Sequence, residues 1–192
     1  MDQTTVMWIA VAVIAVVLIG ALAFAYDQRR RRQLREHFGP EYEHVVSEEG
    51  DERRAERVLS EREARVKKLD IHPLAPAGRE QFVARWRKVQ ERFVDDPRAA
   101  VNDADHVISE AMAACGYPVG DFEQRAADIS VDHPGVVTDY RTAHEIAGRR
   151  SDISTEDLRR AMVHYRSLFE ELIAPPRAPV EERVEEREET RR

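Results

Sequence analysis

Seven histidines and one cysteine are the side chains of this sequence best suited to hold a metal or to act as a nucleophile. The histidines are His37, His44, His72, His106, His133, His144 and His164. None sits in an H-E-x-x-H motif, and no two share a helix at the four-residue spacing that presents both imidazoles to one zinc ion. A metal would need distant ligands such as His133, His144 and His164 to converge with an acid, so no metal site is expected. Cys115 falls on the apolar stripe of a helix near its C-terminal end. A reactive thiolate is favoured by a helix N-terminus or by basic neighbours, so Cys115 reads as core. No serine lies in a G-x-S-x-G elbow and no glycine-rich phosphate loop occurs, so no cofactor is expected either.

The acids Glu123, Asp128, Asp132 and Asp139 lie close in sequence. Paired carboxylates can exchange protons or hold a cation, but this spacing matches no known loop and predicts a solvated acidic face. If the chain has chemistry, Asp132, His133 and the neighbouring acids would carry it, as a small enzyme or a metal-binding domain. Residues 70–175 carry 19 acids and 13 bases, net −6. Phosphate backbones demand the opposite sign, which excludes nucleic acid as the expected partner. A turn-rich stretch offers a possible partner-binding surface through Tyr117, Pro118, Asp121, Phe122, Asp132 and His133. The competing reading is that Tyr117 and Phe122 plug the ends of a helical bundle.

The elements that would position these groups begin with an uncharged run, Val6 to Tyr26. As a helix it measures roughly 31 Å at ~1.5 Å per residue, the thickness of a bilayer's hydrocarbon core. Trp8 and Tyr26 stand near its ends, where aromatic rings favour the interface. Residues 1–5 carry no Lys or Arg, whereas Arg29, Arg30, Arg31, Arg32 and Arg35 follow the run. Basic flanks stay cytoplasmic, so the expectation is a single transmembrane helix with residues 1–5 outside and the remainder in the cytoplasm. A cleaved signal peptide is disfavoured by the missing basic n-region and the length of the run. The five arginines are also expected at the membrane surface, against anionic lipid headgroups.

Gly39-Pro40 should end the helix that leaves the membrane, with a short helix at 41–48 closed by Gly50. Asp51 is a plausible N-cap for a helix over 52–69, with apolar Ala55, Val58, Leu59, Val66 and Leu69 interrupted by Arg62. So polar a helix predicts a solvated stalk, which places residues 27–69 in a basic juxtamembrane segment and stalk. From 70 to 175 the pattern is that of a packed core. Phe82, Trp86, Val89 and Phe93 recur at helical spacing, and Asp96-Pro97 caps a second helix ended by Gly116. Asp121 opens a shorter helix, Asp132-His133-Pro134 begins another, and Ser154 to Asp157 resembles a capping box. No stretch alternates with a period of two. The fold expected is all-α: a transmembrane helix, a polar stalk helix, and a small bundle of four to five helices. The Glu/Arg-rich segment 176–192 is expected to be disordered.

Several longer strings are familiar together: His37-Phe-Gly-Pro-Glu-Tyr42, Arg92-Phe-Val-Asp-Asp-Pro97, Gly116-Tyr-Pro118, Asp121-Phe-Glu-Gln-Arg-Ala-Ala-Asp128, Ser130-Val-Asp-His-Pro134 and Ala161-Met-Val-His-Tyr165. Across roughly residues 30–173 the chain resembles a family of uncharacterised single-span membrane proteins of high-GC, actinobacterial-type bacteria. The resemblance implies an N-terminal anchor followed by a helical domain. It implies no activity, cofactor or partner, and so no site residue. The expected function is a membrane-anchored cytoplasmic helical module that binds or scaffolds a protein partner. The alternatives are the small enzyme or metal-binding domain, and the same domain placed outside the membrane.

Overall fold

The computed structural model describes residues 3–149 and 153–175; side chains at 3–7, 9–13, 15 and 23 are outside the described set. The segment 176–192, expected to be disordered, also lies outside the described residues. Among the described residues the fold is all-helical, as the patterning predicts. It comprises α1 (Gln3–Phe38), α2 (Pro40–Glu49), α3 (Glu52–Val66), α4 (Pro76–Asp95), α5 (Pro97–Ala114), α6 (Phe122–Asp132), α7 (Pro134–Gly148) and α8 (Thr155–Ile173). The chain divides into two compact units, Met1–Glu63 and Ala64–Arg192. Among the described residues, no helix is long and apolar enough to cross a membrane.

In the first unit α1 ends where the sequence places a break. Gly39 adopts φ 50°, Pro40 starts α2 at a position that needs no backbone donor, and Gly50 closes α2 in the left-handed region. The Gly50 N–H donates to the Val46 carbonyl at 2.9 Å. Asp51 caps α3, its Oδ1 accepting from the Arg54 N–H at 2.9 Å. Leu34, Phe38, Tyr42, Val45, Ala55 and Leu59 are buried.

Contrary to expectation, α3 is not a solvated stalk. Ala55, Leu59, Arg62 and Val66 of α3 are all buried, a continuous stripe at helical spacing. Arg62 belongs to that stripe because its Nη1 donates to Glu41 Oε1 at 2.7 Å, and the Glu41 carboxylate is completely buried. A sequence stripe shows one partner of such a pair and not the other, which here is 21 residues away. The helix also stops at Val66 rather than 69, with Lys68 and Leu69 donating in tighter i−3 bonds.

In the second unit α7 packs on α8, α4 on α5, α5 on α8 and α6 on α7. One apolar cluster fills it, from Leu74 and Trp86 to Leu172. The Trp86 and Phe169 rings stack at 4.4 Å, tying α4 to α8. The caps read from the sequence are present. Asp96 Oδ1 accepts from Ala99 N–H at 3.0 Å, and Asp121 Oδ1 accepts from Gln124 N–H at 2.8 Å. Ser154 and Asp157 close a full capping box on α8. Gly116 turns the chain back after α5 at φ 96°, and a Cβ there would run into the Asp70 carbonyl.

Candidate functional site

Two groups of residues carry the functional expectations, one in each unit. The basic group begins one turn beyond Tyr26. Arg31 is shared among Asp27, Glu52 and Glu56, at 3.5, 3.3 and 3.2 Å. Arg32 Nε donates to Glu36 Oε1 at 2.8 Å. Arg35 lies 3.4 Å from Glu43 and 3.8 Å from Glu52, with its guanidinium over the Tyr42 ring. Arg29 and Arg30 are exposed and make no ion pair with any described residue. The five arginines are therefore two sets: three are tied to this chain's own carboxylates and two are available to something else.

In the second unit the turn after α5 and the junction of α6 with α7 meet the end of α8. Tyr117 does not lie on a surface. Its side chain is buried because Gly116 reverses the chain and the Tyr117 N–H bonds back to the Met112 carbonyl at 3.0 Å. Its hydroxyl donates to Asp132 Oδ2 at 2.7 Å. Burial and then that hydrogen bond push the Tyr117 phenol far above the usual tyrosine range. Phe122 is half-buried, stacked on the His144 ring at 3.6 Å and tilted against Tyr140 at 4.9 Å. The bundle-plug reading thus accounts for both rings. Pro118 and Asp121 stay exposed, as does Val119 between them.

His133 ends α6 and begins α7, and its Nδ1 lies 3.5 Å from Glu171 Oε1. It lines a cavity of about 280 Å³ with His72, Cys115, Tyr117 and Glu171 among apolar neighbours. Burial pushes the Cys115 thiol above its ordinary value, which keeps it protonated and unreactive. Among the described residues no group of three His, Cys, Asp or Glu side chains could hold a metal ion. Asp132 and His133 are adjacent in sequence but serve different partners, Tyr117 and Glu171.

Of the acidic stretch, Asp128 is not on a solvated face. It is 1% exposed and receives Arg65 Nε and Nη2 on Oδ1 at 2.8 and 2.5 Å, with Gln124 Nε2 at 3.0 Å from each oxygen. Glu123 and Asp139 fit the expectation better: Glu123 is exposed and paired with Arg141, and half-buried Asp139 bonds His164 at 2.8 Å.

Sequence reasoning missed a polar cluster centred on Asp105. Tyr165 donates to Asp105 Oδ1 at 3.2 Å, while Arg125 Nη2 and His144 Nδ1 lie at 3.8 and 3.9 Å. Arg125 also donates to the Tyr140 hydroxyl at 3.1 Å and to the Gly120 carbonyl at 2.8 Å. Burial raises the Asp105 carboxyl, but bonding to His144 and the Arg125 charge outweigh it and hold the group below its ordinary value. The cluster joins α5, α6, α7 and α8 and fixes the loop ahead of α6. The available signal was Asp105 flanking the apolar stripe of α5, with Tyr140, His144 and Tyr165 on the stripes of their own helices.

No family model, curated protein or solved structure matches the chain.

Proposed function

We propose that the chain is a single-pass membrane protein with its N-terminus outside and its second unit in the cytoplasm, where that unit binds a protein partner and holds it at the membrane. The observation that carries the anchor is exposure on every side of α1 along residues 16–19. Val16, Val17, Leu18 and Ile19 are successive residues, about 100° apart on a helix, and are 70%, 64%, 57% and 66% exposed. Ile14, Leu22 and Phe24 extend the same surface. A partner seated on one side of α1 leaves the other sides in water; a surrounding hydrocarbon phase covers all of them. The length of the uncharged run and the arginines after Tyr26 support the span and its direction.

The Pro118–Asp121 turn supports the partner-binding reading. Val119 is 79% exposed between exposed Pro118 and a half-buried glycine, on a loop tied from behind by the hydrogen bonds of Tyr117 and Arg125. An apolar side chain presented by such a loop suits a protein contact. Crosslinking and affinity purification of the full-length protein from membranes, beside a control holding only residues 1–36, tests this. The expected result is a protein recovered with the full chain alone and lost with Val119→Asp. Recovery of the same proteins with both baits contradicts it.

A further inference from the structure

We infer that the face of α1 just beyond its apolar run is a headgroup site for an anionic phospholipid, with Arg29 and Arg30 as the pair that binds the phosphate. The inference rests on the anchor proposed above and adds a chemically defined ligand to it. Arg31, Arg32 and Arg35 each face a carboxylate among Asp27, Glu36, Glu43, Glu52 and Glu56, which offsets their charge and competes with a phosphate for them. Arg29 and Arg30 have no carboxylate partner among the described residues, although acids are abundant in the same unit. Both line one open cavity of about 580 Å³.

That cavity follows one stripe of α1, through Tyr26, Arg29, Arg30, Gln33 and Leu34, with Glu63 on its other side. The spacing of three and four residues puts these α1 side chains on a single face. Two guanidiniums present forked donors that match phosphate oxygens, the Gln33 amide adds another donor, and buried Leu34 provides an apolar floor. The volume exceeds that of a bare phosphate and suits a phosphate with its glycerol or polyol substituents. Depth favours a lipid as the source. Arg29 and Arg30 lie three and four residues past Tyr26, about 5 Å along the helix, which is headgroup level for a span that ends at Tyr26.

Glu63 gives the site a distinctive signature. Its carboxylate repels a bound phosphate, so neutralising it strengthens binding, whereas a diffuse basic surface responds only to the number of arginines.

The test uses the full chain in nanodiscs of phosphatidylcholine with a minor fraction of phosphatidylglycerol, with retained lipid read by native mass spectrometry. Phosphatidylglycerol is expected to be retained over phosphatidylcholine. The double variant R29Q/R30Q lowers that retention roughly tenfold or more. R32Q/R35Q removes the same charge from the same segment and changes it less than about twofold, because those side chains do not line the cavity and face carboxylates that offset their charge. Glu63→Gln raises retention. Equal losses in the two double variants overturn the site in favour of diffuse charge. Displacement of the lipid by excess inorganic phosphate overturns the lipid in favour of a free anion. Incorporation without any preference for phosphatidylglycerol overturns the site alone. Failure of the wild-type chain to incorporate overturns the anchor, and the site with it.

Discussion

Two buried carboxylates, Glu41 in the first unit and Asp128 in the second, each meet an arginine of α3, and their surroundings differ. Glu41 is fully buried, and the side chain of its partner Arg62 is only 10% exposed. Asp128 is just as buried, but its partner Arg65 is 41% exposed and Gln124 supplies both of its oxygens from within α6. The first unit keeps a desolvated ion pair inside a small apolar set. The second surrounds its acid with a large apolar cluster and a neutral donor. Removing one partner of a desolvated pair leaves a charge in low dielectric, whereas a half-solvated arginine can be replaced in part by water. The first unit thus depends on specific charges and the second on packing.

The largest effect should come from the packed unit. Phe169→Ala removes the ring stacked on Trp86 and should cost ~3–5 kcal/mol, read by denaturant unfolding of the full chain. Next, Arg62→Met should cost about 3 kcal/mol and Arg65→Met clearly less, because the Arg62 side chain is only 10% exposed whereas that of Arg65 is 41% exposed and water can take over part of its role. The reverse order would show that the exposure of the arginine does not set the cost.

A third prediction concerns alkaline pH. Tyr117, Tyr140 and Tyr165 all have phenols raised chiefly by burial, so the folded state keeps protons that the unfolded chain releases. Their stabilising contribution is complete below the ordinary tyrosine value of about 10 and is lost as pH rises above it. Stability of the second unit should fall steeply there, and Tyr117→Phe should make the slope shallower. A flat profile above that pH would contradict the burial argument.

The smallest effect is that of salt. Arg32–Glu36 and the other exposed pairs of the first unit add little stability and are screened. Added salt should therefore speed hydrogen exchange more in α2, where Glu43 faces Arg35, than in α5, whose exposed pairs are backed by a long buried apolar stripe.

Local signals carried most of the fold. Asp51, Asp96, Asp121 and Ser154 announce their helices because a capping bond spans only three residues, and each is found in place. Gly39, Gly50 and Gly116 likewise mark reversals that depend on backbone sterics alone. What stayed hidden is non-local. Arg62 looked like a break in an apolar stripe because Glu41 lies on another helix. Asp128 looked solvated because Arg65 is 63 residues away. Of the two readings of Tyr117, contact surface or bundle plug, the Gly116 turn selects the plug by folding the chain back. The Asp105 cluster needs four helices to assemble before it exists, so no single window of sequence contains it.

In the proposed topology α1 crosses a membrane and leaves the second unit in the cytoplasm. Labelling of single engineered cysteines in intact cells with an impermeant thiol reagent tests it most directly, in a Cys115→Ala background. Thr4→Cys in the N-terminal segment should react, and Val94→Cys, at a position 83% exposed in the second unit, should react only after the cells are permeabilised. Labelling of Val94→Cys in intact cells would contradict the topology.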